Sequence, residues 1–473
     1  MTKKTRILLA GFLCFSTLCF FCGLCIRDVH DTIRAENFVH DLTADQTAQL
    51  EETLDATFPE RNTTALSHLP YKLLEPDLNI QAGSAILVDT ATGSILYEKN
   101  ADDSIPPASL TKIIEMYVLF QAVENNEIAL DDIVPLPPQS WSENLPPDAS
   151  RMHLGKNHRV TLRELMLGLA ISSGNDASIA AAYYVCGNMN DFVSRMNAAV
   201  ANAGLTHTHF VESSGYSERN TTTAREFATF ARMYMRKYPE SLEQFHSQSM
   251  FTYPQARNLP PELRGQAQAL AIKQYNTNKL LSKLEGCDGL KTGYIDESGY
   301  NIAVTAKRNG TRFLSVTMRG PGHSTAEGNA YRVSDNMALF SYAFANFADY
   351  NPPQKKHEYA IGVPDSKQKF IKLIPACPES FTVPFITGTT PEDSVAAVYT
   401  EVTMPHCLLG SIKKGMKCGE IAYKIGSTTL RTLPLVADRD AEPASIASRL
   451  YGRLIYSLIE LDFSIRSRID TNS

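Results

Sequence analysis

The apolar positions of the chain change period several times, and each change marks an element. An uncharged run from Ile7 to Ile26 follows Lys3, Lys4 and Arg6. At about 1.5 Å per residue a helix of that length spans roughly 30 Å of hydrocarbon. Residues 1–26 therefore read as an export segment, either a cleaved signal peptide or a retained anchor, with the basic end in the cytoplasm and the body outside. Residues 27–79 mix charged and apolar positions around Phe58-Pro59-Glu60 and Leu69-Pro70, the pattern of a partly helical spacer. From Ser84 the runs Ala85-Ile86-Leu87-Val88 and Ile95-Leu96-Tyr97 flank Asp89-Thr90-Ala91-Thr92-Gly93, which predicts a β-hairpin. After Pro106-Pro107, the residues Leu110, Ile113, Ile114, Tyr117 and Val118 recur at helical spacing, so Ser109 falls at a helix start. Leu162, Leu165, Met166 and Leu169 repeat that period. Ser172-Ser173-Gly174-Asn175-Asp176 breaks it before a second helical run from Ala177 to Val185.

Alternation returns at Tyr300, Ile302 and Val304 and again at Leu314, Val316 and Met318, with Asn309-Gly310 between them as a hairpin turn. Asn351 to Lys356 reads as a linker. Short β-like runs separated by Lys413-Lys414-Gly415 and Ile425-Gly426-Ser427 then predict a small all-β domain over 357–441. The last element, 443–470, is an amphipathic helix with Ile446, Leu450, Leu454, Leu458, Leu461 and Ile465 on one stripe and Arg449, Arg453, Arg466 and Arg468 among its polar positions. Such a helix either lies in a membrane interface or packs on its own domain.

Composition narrows the function classes. The 473 residues exceed one usual domain, and 43% hydrophobic with 20% charged residues is ordinary globular composition. A net charge of −6 without a basic stripe gives no reason to expect nucleic acid. Four of the nine cysteines (Cys14, Cys19, Cys22, Cys25) lie in the first apolar run and read as small hydrophobes, with lipid modification at Cys22 or Cys25 as the alternative. The other five are odd in number and define no disulfide framework. The eleven histidines form no His-Glu-x-x-His cluster, so neither a metal nor a cofactor is expected.

Three short motifs carry chemistry. Ser109 and Lys112 are spaced i, i+3 and share a helix face, where a desolvated amine takes a serine proton and the helix N-terminus supports a developing oxyanion. Ser173 and Asn175 form Ser-x-Asn in a turn between helices. Lys291-Thr292-Gly293 begins a strand-like run. Each triplet alone is common, but in this order, on helix start, turn and strand, the set resembles penicillin-binding serine enzymes. Pro107-Ala-Ser-Leu-Thr-Lys112, Ser173-Gly-Asn-Asp-Ala177, Thr223-Ala-Arg225 and Asp288-Gly-Leu-Lys-Thr-Gly293 are similar to the low-molecular-mass D-alanyl-D-alanine carboxypeptidases across roughly 80–345.

That resemblance implies an α+β fold over 80–350, a mixed antiparallel sheet flanked by helices with a helical subdomain, followed by the β-domain and the terminal helix. It implies Ser109 as the acylated nucleophile, Lys112 as proton acceptor, and Ser173 and Asn175 as completing the proton network. Lys291, Thr292 and an arginine would bind the substrate carboxylate, Gly293 would belong to the same substrate-binding run, and the Ser109 and Tyr294 amides would form the oxyanion hole. Arg332 is the candidate arginine and Arg319 its competitor. Peptidoglycan stem peptides, β-lactams and a membrane are the partners it implies, at the periplasmic face of the cytoplasmic membrane. Ile295 departs from the family pattern, which often places a hydroxyl residue there. A β-lactamase and a catalytically idle wall-binding or scaffold protein are the rival readings. Thr223-Ala224-Arg225-Glu226 reads as the start of a structural helix.

Overall fold

The computed structural model describes residues 20–32, 41–61, 65–73, 76–350, 358–385 and 390–470. The chain divides into two compact units, Thr64–Asp349 with Phe381–Val395, and Met1–Thr63 with Tyr350–Ser380 and Ala396–Ser473.

The first unit is built on six strands: β1 (Ser67–His68), β2 (Ser84–Asp89), β3 (Ser94–Lys99), β4 (Cys287–Ile295), β5 (Gly299–Arg308) and β6 (Thr311–Gly320). They lie in the order β1-β3-β2-β6-β5-β4, antiparallel except for β1 with β3. The turn between β5 and β6 carries Asn309 and Gly310 at φ +47° and +88°, the left-handed backbone that selects Asn-Gly there. Because side chains alternate across a strand, both faces of the sheet are buried. Ile86, Val88, Leu314, Val316 and Met318 enter one core. That core includes apolar residues of helices α1 (Thr111–Glu124), α2 (Leu162–Leu167), α3 (Asn175–Cys186), α4 (Met189–Asn202) and α5 (Ala224–Lys237). Ala85, Leu87, Ile302, Val304 and Phe313 enter a second core with Leu339, Phe340 and Ala343 of α6 (Thr325–Asn346). The unit is α+β, with its helical subdomain inserted between β3 and β4.

Three local outcomes refine the sequence expectations. The spacing in α1 predicts a buried stripe, yet every residue from Thr111 to Phe120 is buried, because α1 runs through the centre of the helical layer. The helix begun at Leu162 ends in a π turn at Gly168–Ser172, and Ser173 then takes φ +59°. α5 starts at the predicted place, its first turn capped by the Thr223 side chain on the Glu226 amide.

The second unit holds a five-stranded antiparallel sheet in the spatial order Tyr359–Val363, Lys369–Pro375, Thr428–Ala437, Lys417–Ile425 and Tyr399–Thr403. Within the stretch read as a spacer, the helix Ala44–Thr57 buries Leu50 and Leu54. Arg61 pairs with Glu51 and Asp55 and donates to the Ala376 carbonyl, so this stretch is packed into the unit. The terminal helix Ile446–Asp470 buries Ile455 and Ile459 against Cys25 and Cys407. Its Leu450, Leu454, Leu458 and Leu461 stay exposed. Among the described residues no helix is long and apolar enough to cross a membrane. The first nineteen residues, the linker 351–356 and the side chains of Ile465, Arg466 and Arg468 lie outside the described residues.

Candidate active site

Ser109 is presented by a tight turn. Ala108 holds φ +50°, and the 3-10 turn Ala108–Leu110 runs directly into α1. Two glycines allow the chain to close around this turn. A Cβ on Gly215, itself at φ +78°, would sit 1.9 Å from the Ala108 carbonyl oxygen. A Cβ on Gly293 would sit 2.8 Å from the Pro107 oxygen and 3.0 Å from the Ser109 nitrogen. The β4 backbone thus passes against the Ser109 amide at the residue before Tyr294.

Lys112 follows one turn later and has no exposed surface. Its Nζ lies 3.1 Å from Ser109 Oγ, 2.8 Å from Asn175 Oδ1 and 2.5 Å from the Ser214 carbonyl oxygen. The two carbonyl oxygens only accept, so a neutral amine gives each of them one N–H and keeps its lone pair for the serine hydroxyl. Burial brings the Lys112 ammonium down to about 8, with Glu115, Glu212 and Asp176 pulling the other way. Glu212 accepts from the Ser214 and Gly215 amides at 2.7 and 2.8 Å and from Asn220 Nδ2 at 2.9 Å. Asp176 accepts from the amides of Met152, His153 and Leu154 at 2.7, 2.8 and 3.0 Å and from Ser142 Oγ at 2.6 Å. These two acids hold the loops that carry Ser214 and Ser150 in place. Ser173 stands at the cleft with its hydroxyl unpartnered, and the bonds of Lys112 go to Ser109, Asn175 and Ser214 instead.

On β4, Lys291 is buried and donates to the Thr292 carbonyl at 2.9 Å. Burial, with the Lys112 and Arg332 charges, pushes its ammonium well below the usual lysine range. Thr292 Oγ1 donates to Thr277 Oγ1 at 2.7 Å. Arg332 donates to the Gly293 carbonyl and, at 2.9 Å, to Asn329 Oδ1, and its guanidinium stands 4.9 Å from the Tyr300 ring centre. Arg319 points elsewhere, half-exposed and 3.2 Å from Asp103. Ser109, Ser173, Thr292, Gly293, Tyr294 and Arg332 line one cleft of about 370 Å³, while Lys112, Asn175 and Lys291 are buried in its wall.

The sequence reading missed Thr277, which lines the same cleft beside Lys279. It supplies a hydroxyl to Thr292 although Ile295 has none. Thr277 sits in a loop fifteen residues before Thr292 and has no local signature. The Ser214 carbonyl and Glu212 were missed as well, since a main-chain acceptor leaves no mark in a sequence. Asp148 lines the cleft and accepts from Tyr216 Oη at 3.1 Å.

The family model described as D-alanyl-D-alanine carboxypeptidase, peptidase family S11, matches residues 72–322. The chain is 29% identical over 377 residues to the D-alanyl-D-alanine carboxypeptidase DacF of Bacillus subtilis, covering 79% of this chain and 89% of that protein. It is 29% identical over 383 residues to DacA of Haemophilus influenzae, covering 80% and 90%. Among solved structures, penicillin binding protein 5 from Haemophilus influenzae aligns with a TM-score of 0.66 at 28% identity, covering 78% of this chain and 100% of that one. Penicillin binding protein 6B from Escherichia coli aligns with a TM-score of 0.61 at 25% identity, covering 78% and 99%.

Proposed function

The chain belongs to the D-alanyl-D-alanine carboxypeptidase family, and from that premise we propose that Ser109 is the nucleophile that releases the terminal D-alanine of peptidoglycan stem peptides. Its activity is that of a serine-type D-Ala-D-Ala carboxypeptidase. The observation that carries the residue assignment is the surrounding of Lys112 Nζ, two carbonyl acceptors and one serine hydroxyl in a fully buried place.

In this reading Ser109 Oγ attacks the carbonyl carbon between the two D-alanines while Lys112 takes the hydroxyl proton. The oxyanion is held by the amides of Ser109 and Tyr294, a close pair because Gly293 has no Cβ. The C–N bond then breaks, the proton passes to the leaving amine, and the terminal D-alanine departs. Water hydrolyses the ester and frees Ser109. The terminal carboxylate is met by the Thr292 and Thr277 hydroxyls and by the Arg332 guanidinium, with the buried Lys291 amine behind them. Ser173 and Asn175 stand on the opposite wall, where they orient the substrate amide and the proton relay. Neither the β-lactamase nor the idle-scaffold reading is supported by the family match.

A β-lactam presents a comparable electrophilic carbonyl, in a strained ring, so it acylates Ser109 by the same route. The exposed leucine stripe of the terminal helix supports docking of the second unit on a membrane surface, consistent with an exported protein working in the periplasm. Fluorescent penicillin tests the assignment: wild type labels covalently and Ser109→Ala does not. Equal labelling of the two proteins overturns it.

A further inference from the structure

α1 carries a buried acid that the steps above leave unused. Glu115 comes three residues after Lys112, so Ser109, Lys112 and Glu115 follow one another along one side of the chain at successive turns. Its side chain has no exposed surface, and neither carboxyl oxygen has a hydrogen-bond partner. The Ser178 hydroxyl of α3 faces it and is engaged with Ser213 Oγ at 2.6 Å.

The other acids that face Lys112 are built differently. Glu212 and Asp176 each receive several N–H and O–H donors, the internal solvation that an ionised carboxylate requires away from water. Glu115 has at most the Ser178 hydroxyl, itself shared with Ser213, and no N–H donor, so its ionised carboxylate is the costly form. Lys112 Nζ, meanwhile, is directed at Ser109, Asn175 and Ser214. Lys291 on β4 adds a second cationic group to the same surroundings.

We propose that Glu115 and Lys112 titrate as one pair that holds a single proton at working pH, and that Glu115 thereby sets the pH at which Lys112 becomes able to accept the Ser109 proton. Glu115 is a positioning residue in this scheme, acting through Lys112, and the scheme rests on Lys112 being the base. While Glu115 is a carboxylic acid, nothing on its side favours the ammonium and burial drives Lys112 towards the free amine. Once Glu115 ionises, its carboxylate favours the ammonium and delays the appearance of the base. In keeping with this, burial raises Glu115 to about 8 and lowers Lys112 to about 8, each opposed by the other's charge.

The test is the second-order acylation rate of the full chain by a chromogenic penicillin as a function of pH. Glu115→Gln removes the ionisable group, so the midpoint of the rise in rate moves to lower pH by roughly one to two units. A midpoint that does not move overturns the proposal, whatever happens to the plateau, because a purely structural residue changes the plateau alone. Should the amide fail to fold, Glu115→Met, of similar length and without polar atoms to bury, gives the same readout. Lys112→Ala separates the two readings. Normal acylation by that variant removes the base assignment itself, whereas its inactivity together with an unmoved Glu115→Gln midpoint removes only the role of Glu115.

Discussion

Gly293→Ala isolates the contact on which the oxyanion hole depends. The added methyl would lie 2.8 Å from the Pro107 oxygen and 3.0 Å from the Ser109 nitrogen, and both neighbours are backbone atoms of the tight turn that leads into α1. Ordinary van der Waals separation is about 3.5 Å, so β4 must retreat by roughly half an ångström or more at this residue. Tyr294 is the next residue, and its N–H retreats with the strand. Losing one oxyanion donor slows acylation about 10²- to 10³-fold, near 3–4 kcal/mol of transition-state stabilisation. The fold loses less, ~1–3 kcal/mol as for other overpacked sites, because β4 keeps its pairing with β5 from Cys287 to Ile295. Stopped-flow acylation by a fluorescent penicillin, run beside a thermal melt, measures both. Acylation within about threefold of wild type in a normally folded protein would refute the reasoning and place the oxyanion donors elsewhere.

Other expectations follow from the same structure. Arg332→Ala weakens kcat/KM for D-Ala-D-Ala peptides by about 10- to 100-fold, mostly through KM, as expected for loss of a charge-assisted bond. Arg319→Ala, which removes only the exposed pair with Asp103, leaves peptide kinetics unchanged, and the reverse ranking overturns the choice of arginine. His246 is fully buried against Tyr234 Oη at 2.9 Å, and burial lowers it from 6.5 to about 3. Above about pH 6.5 its ring is neutral in folded and unfolded chains alike and adds no pH dependence. Below that, the unfolded chain binds a proton that the folded chain refuses, so stability falls with decreasing pH at up to ~1.4 kcal/mol per unit until the folded value is reached. Denaturant melts of His246→Gln show a shallower acid slope, and an unaltered slope contradicts this assignment. Leu450→Asp with Leu454→Asp abolishes co-sedimentation with anionic lipid vesicles while sparing penicillin labelling; retained co-sedimentation counts against the terminal helix as the docking surface.

What the sequence disclosed depended on how local the signal was. Ser109, Lys112, Ser173 and Asn175 stand in short motifs whose spacing already dictates a shared face or turn, and the structure gathers them within hydrogen-bond range or around one cleft. The β2–β3 and β5–β6 hairpins were equally legible from alternation and turn residues. Thr277 and the Ser214 carbonyl were not, because each reaches the site from a distant loop, one by a hydroxyl with no neighbouring motif and one by an atom every residue has. Arg332 was preferred over Arg319 in the sequence without a local motif behind the choice; in the structure α6 brings Arg332 to the Gly293 carbonyl, whereas Arg319 pairs with Asp103. The terminal helix shows a limit of periodicity. Its leucines mark an apolar stripe, yet Ile455 and Ile459 make the buried contact and the stripe faces outward. Period alone identifies an amphipathic face without saying what covers it.

The most direct test of the central claim is release of D-alanine from a synthetic stem pentapeptide ending in D-Ala-D-Ala, followed for wild type, Ser109→Ala and Lys112→Ala. The structure predicts stoichiometric D-alanine and tetrapeptide from wild type, with both variants slower by about 10³-fold or more. Release by Ser109→Ala at a rate comparable with wild type, or no release by a wild-type protein that still labels with penicillin, would contradict it.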